Sequence, residues 1–200
     1  MTSGPALDDH RRSALLDVAA RAIGNALVTG RVALLGDDEI DDPVLGEPGA
    51  VFVTLLRDER LLGCVGSLHP VESLAHAVHR AALQAAFADP RLPAVTPADF
   101  EAMTIKISVL SALEEIAVAS YRELLAEARP GVDGLVIEAG AHRATLLPSV
   151  WEQCGDANQF LDALWAKAGL AAFAWPRGLS AERYTTEEFA SYGPRALTTA

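Results

Sequence analysis

From Thr104 to Leu110 the chain alternates between apolar and polar residues. Ile105, Ile107 and Val109 fall on one side, Thr104, Lys106 and Ser108 on the other, which predicts a half-buried strand. Residues 10–29 follow a different period. Leu15, Leu16, Val18, Ala19, Ala22, Ile23, Ala26 and Leu27 recur at helical spacing, Arg11, Arg12, Asp17, Arg21 and Asn25 occupy the other face, and Gly30 is a natural stop. Residues 50–56 and 61–68 read as paired strands around the polar turn Arg57-Asp58-Glu59-Arg60, with Pro70 closing the second. Residues 72–88 form an Ala-rich helix that must end before Asp89-Pro90, because a proline disfavours helix at the residue before it.

Thr96-Pro97-Ala98-Asp99 opens a short helix, with Thr96 as cap and Pro97 in the first helical position. Ser120-Tyr121-Arg122-Glu123 has capping-box form and starts another, ending near Arg129-Pro130-Gly131. Residues 134–138 and 143–147 predict a hairpin around Ala139-Gly140-Ala141, and Leu147-Pro148 turns the chain into Val150-Trp151. Asp156 caps a helix that runs to Lys167-Ala168 and stops at Gly169. Residues 183–189 add a late strand. Five or six strands and as many helices, not in strict alternation, predict an α+β fold with an antiparallel sheet and packed helices. No Pro/Gly/Ser linker divides the chain, so 1–200 reads as a single domain in which any two lobes are interwoven.

Composition narrows the function more than the fold. At 200 residues and 50% hydrophobic, the chain can bury a core without staples. A net charge of −11 repels phosphate backbones and anionic membranes, so neither nucleic acid nor a membrane is an expected partner. The acidic stretch from Gly36 to Pro48 lacks the alternate-ligand spacing of a calcium loop and reads as a solvated loop. No apolar run approaches the roughly 18 residues of a membrane span. The N-terminus lacks a secretory pattern, so a cytoplasmic location is expected. Two cysteines, Cys64 and Cys154, suit free thiols in a reducing compartment better than a disulfide scaffold.

The chemistry-bearing candidate is Cys64 in Gly63-Cys64-Val65-Gly66. Glycine inside a strand marks a bulge or a close approach, so two of them beside a thiol predict open space at its sulfur. Strict alternation puts Leu62, Cys64, Gly66 and Leu68 on one face. Cys64 is then either a packed small hydrophobe, a thiol at a ligand wall, or a nucleophile needing a nearby base or cation. Glu72, His76 and His79 share a helical face at metal-compatible spacing but lack a zinc-motif order, so a solvent-facing polar stripe is the plainer reading and no metal is assigned. Serine-hydrolase and phosphate-loop motifs are absent. Trp151, Trp165 and Trp175 read as packing aromatics.

Several blocks together resemble a known family. Val51-Phe52-Val53-Thr54-Leu55 with Leu61-Leu62-Gly63-Cys64-Val65-Gly66-Ser67 is similar to its FVTL and LRGCIGT block. Ala85 to Pro93 resembles its AAFxDPRFxP block. Ile105 to Leu110, Gly134 to Ile137 with Arg143 and Leu146-Leu147-Pro148, and Phe160-Leu161 with Lys167 to Leu170 are similar to its remaining strands and ending. On these blocks the chain resembles AMMECR domain proteins, also called protein A of the AmmeMemoRadiSam system, from about residue 15 to 190. The resemblance implies an α+β fold of two intertwined lobes and a cytosolic, uncharacterised protein encoded beside a Memo-like protein and a radical-SAM protein, its expected partners. It implies no named cofactor. The motif positions Gly63, Cys64, Gly66, Asp89, Arg91, Arg143 and Lys167 carry over as candidate ligand-binding residues, with Cys64 also a candidate catalytic thiol. Two positions depart from the pattern: Leu62 stands where the family has Arg, and Ser149 where it has Gln. Arg57 or Arg60 could supply the missing guanidinium from the turn. The functional expectation is an accessory ligand- or partner-binding module using a cleft near Cys64. The alternative is a cysteine-dependent enzyme, with Arg143 or Lys167 activating the thiol.

Overall fold

A computed structural model describes residues 7–197. The fold is α+β, with helices and two four-stranded antiparallel sheets. The chain falls into two units, one reaching to Leu110 and resuming at Glu187, the other spanning Ser111–Thr186.

The first unit contains α1 (Asp9–Thr29), β1 (Val51–Arg57), β2 (Arg60–Gly66), α2 (Leu74–Phe87), α3 (Pro97–Ala102), β3 (Thr104–Leu110) and β8 (Thr186–Ser191). Its sheet has the order β2-β1-β3-β8. Asp8 caps α1 by accepting from the Arg11 N–H, and Gly30 ends it at φ 68°, a conformation that glycine adopts without Cβ strain. The Thr96 cap is reciprocal, since Asp99 accepts in turn from the Thr96 N–H. Val51, Val53 and Leu55 of β1 and Ile105, Ile107 and Val109 of β3 are buried, so the alternation read in β3 is the core face of the sheet. Leu15 and Ile23 of α1 and the alanines of α2 close that core. The acidic stretch is partly anchored: Arg11 donates to Asp42 at 2.9 Å across a hollow of about 820 Å³ beside α1.

The second unit contains β4 (Glu114–Glu115), α4 (Tyr121–Glu127), β5 (Gly134–Ala139), β6 (His142–Leu146), α5 (Ala157–Ala168) and β7 (Ser180–Tyr184), with sheet order β4-β7-β5-β6. Ser120 caps α4 as expected, but Glu123 reaches back to the Ala119 N–H, one residue beyond the box. Asp156 caps α5, and Gly169 ends it at φ 70°. Trp151 stacks on Phe160 with ring centroids 3.7 Å apart, and its indole N–H donates to the Asp133 carbonyl at 2.7 Å. The fully buried Asp133 carboxylate is held by Arg129 at 2.9 Å and Arg183 at 3.3 Å.

Two elements differ from expectation. The single late strand is two, β7 in the second sheet and β8 in the first, because Glu182, Glu187 and Glu188 blur their period. A 3-10 helix occupies Pro148–Gln153, where only a turn is predicted. Among the described residues no helix is long and apolar enough to cross a membrane. Both cysteines are free.

Candidate functional site

The site is built on the β1–β2 hairpin. Leu55 pairs with Gly63 but Leu56 pairs with Leu61, so Leu62 is the extra residue of a β-bulge. The bulge breaks strict alternation. Leu62 turns into the core at 6% exposure, Gly63 also faces the core beside Leu55, and Cys64 falls on the opposite face of the sheet beside Thr54. The expected common face for Leu62 and Cys64 is therefore incorrect. The family's Arg position is a core position in this chain. Neither turn arginine replaces it: Arg57 donates to Asp99 at 3.1 Å and Arg60 lies 3.5 Å from the same carboxylate.

The glycines do not leave the expected opening. A Cβ on Gly63 would lie 1.9 Å from the Ala85 carbonyl of α2, and one on Gly66 would lie 2.1 Å from the Val51 carbonyl. The missing side chains are filled by the protein's own backbone, so each glycine serves close packing. Gly63 lets α2 sit down on the sheet, and the small alanines of α2 serve the same approach.

Cys64 is instead the centre of a polar corner. Its N–H donates to Asp89 Oδ2 at 3.0 Å, and its carbonyl accepts from Arg91 Nη2 at 2.9 Å. Asp89 also accepts from Arg91 Nε at 2.9 Å, from Nη2 at 2.7 Å and from the Arg91 N–H at 3.1 Å. The Arg91 fork holds the Asp89 carboxyl well below the usual carboxylate range; burial opposes this, and the Cys64 and Arg91 N–H groups reinforce it. Thus Asp89 and Arg91, which follow α2, lock onto the backbone on both sides of the cysteine. The Asp89 side chain is 2% exposed and that of Arg91 56%, so the carboxylate is structural and the guanidinium is presented outward. Arg91 Nη1 makes no hydrogen bond among the described residues.

The Cys64 sulfur accepts from the Thr54 hydroxyl at 3.2 Å. Among the described residues no histidine or carboxylate is bonded to it. In register, Cys64 lies opposite Thr54 and Thr54 opposite Lys106, and the Lys106 ammonium pairs with Glu188 of β8. Ser108 donates to the same glutamate at 2.9 Å. A row of half-buried polar groups therefore crosses all four strands. Sequence reasoning placed Lys106 and Ser108 on the polar side of β3 but missed Thr54 and Glu188, because the row requires a register and a strand from the far end of the chain.

The other candidates are occupied where they stand. Arg143 pairs with Glu138 at 3.3 Å across β5 and β6, and Lys167 donates to the Thr145 carbonyl at 2.9 Å, both in the second unit. Glu72 is paired with Arg80 at 2.6 Å. His76 engages Ser73 Oγ at 2.7 Å and the Leu35 carbonyl at 3.1 Å through its two ring nitrogens. No cluster of three metal-ligating side chains occurs among the described residues.

Comparison with known proteins matches the chain to the AMMECR1 family model over residues 16–189. The chain belongs to the AMMECR1 family. A Methanothermobacter thermautotrophicus protein is 38% identical over 171 residues, covering 85% of this chain and 88% of its own length. A Thermofilum pendens protein is 37% identical over 193 residues, covering 90% of each. The crystal structure of an uncharacterized Pyrococcus horikoshii protein superposes with a TM-score of 0.85 at 32% identity, covering 94% of this chain and 95% of that one. In this AMMECR1-family chain Asp89 and Arg91 converge on the Cys64 backbone, so the GCVG and DPR stretches meet in space.

Proposed function

We propose that this AMMECR1-family protein is an accessory binding module whose recognition point is the corner formed by Cys64, Asp89 and Arg91. The observation that carries the reading is the buried Asp89 carboxylate. It is committed to the Cys64 N–H and to the Arg91 fork, which fixes a half-exposed guanidinium in one orientation. A pre-positioned arginine beside a thiol loses little conformational freedom on binding and suits a carboxylate or backbone carbonyl on a partner. The partner expected from the family resemblance is a Memo-like protein. A thiol to which no histidine or carboxylate is bonded among the described residues supports binding over nucleophilic chemistry.

Calorimetric titration of the full chain with the Memo-like protein from the same genome tests this. A saturable complex is expected, with Arg91→Ala weakening it by about 2 kcal/mol, as for an interface hot spot. Absence of binding, or equal binding by the variant, rejects the reading.

A further inference from the structure

Residues 32–35, outside any helix or strand, pass beside α2 and are tethered where His76 Nε2 meets the Leu35 oxygen at 3.1 Å. Between this segment and α2 lies a groove of about 510 Å³. Leu34, Leu35, Leu83 and Phe87 make its walls apolar. Its volume falls within the roughly 300–1,000 Å³ of small-molecule sites. Val32 and Leu34, both lining residues, are 61% and 90% exposed.

The polar end has a particular composition. Glu72 and Arg80 pair at 2.6 Å and cancel each other's charge. His76 is engaged through both ring nitrogens. His79 is different: neither of its ring nitrogens has a hydrogen-bond partner among the described residues. It borders the groove and also a smaller cavity of about 110 Å³ under residues 33–35. Burial first, and then His76, lower its pKa against the opposing pull of Glu39 and Glu72, and the net lowering favours the neutral imidazole at neutral pH. The carboxylate and guanidinium groups of the lining are thus committed to each other, and a charged ligand would lose its hydration without gaining an unpaired counter-ion.

We infer that this groove binds an uncharged small molecule with an apolar body and one hydrogen-bonding group, which pairs with His79. The groove shares no lining residue with the Cys64–Arg91 corner and does not depend on that corner's role.

The neutral fluorophore N-phenyl-1-naphthylamine, which has one N–H, is a direct probe of the full chain. Saturable binding at one site is expected. Leu34→Asp should weaken it at least about tenfold by placing a carboxylate on the apolar wall. His79→Leu should weaken it about fivefold by removing one hydrogen bond. Leu34 is solvent-exposed, so the thermal midpoint of its variant reports that the fold is intact. The anionic dye anilinonaphthalene sulfonate should bind at least about tenfold more weakly. The inference is overturned by a lack of saturable binding, by indifference to either substitution, or by equal affinity for the anionic dye with the same sensitivity to Leu34→Asp.

Discussion

Asp89 shows how one side chain can organise a site without touching a ligand. It is nearly sealed from solvent, yet it accepts four hydrogen bonds from Cys64 and Arg91. Asp89→Ala should cost about 2–4 kcal/mol, read as a lower urea midpoint, because two N–H groups and a guanidinium lose their acceptor. The pH dependence follows from the direction of its shift. The native carboxyl titrates below the unfolded value of about 3.9, so its stabilisation is complete above about pH 5 and fades as the pH falls further. Urea melts at pH 7 and pH 3 should therefore show a smaller acid loss in Asp89→Asn than in the parent. At this scale the sequence was informative about type and silent about direction. Gly63, Cys64 and Gly66 pointed to unusual geometry, but spacing alone does not reveal that Leu62 is a bulge residue and that Cys64 therefore faces away from the core. Nor does it reveal that the protein's own backbone fills the space beside the glycines.

At the scale of elements, period and caps made most of the fold readable. Strand β3 and helix α5 keep the limits their patterns predict, and α1 begins one residue early. These segments combine a strong period with a definite stop. Elements without both were harder: β4 has two residues, and the acids in β7 and β8 hide any alternation. Two substitutions test how these elements are held. Gly63→Ala should destabilise by about 3 kcal/mol or more in chemical denaturation, since its methyl would meet the Ala85 backbone and force α2 off the sheet. Ser120→Ala should cost only about 1 kcal/mol, the usual loss for one N-cap hydrogen bond to the Glu123 N–H.

For the whole molecule, the decisive strand is β8. It lies at the edge of the first sheet beside β3, although the chain builds all of the second unit between them. Its glutamates answer three groups of the first unit: Glu187 pairs with Arg12 at 2.8 Å, and Glu188 with Lys106 and with Ser108. Deleting residues 187–200 should leave the β3 edge unpaired and those groups without partners. The expected outcome is loss of a cooperative thermal transition and association on size-exclusion chromatography. A monomeric, cooperatively melting truncation would show that the sheet does not need its fourth strand.

The position of β8 also bears on birth at the ribosome. The earliest sheet to emerge is finished by one of the latest strands, so the nascent polypeptide must wait on the order of several seconds, at ordinary synthesis rates, with a bare margin of hydrogen-bonding groups. Translation speed through the intervening stretch, or a holding chaperone, then decides how much of each newly made copy reaches its native state.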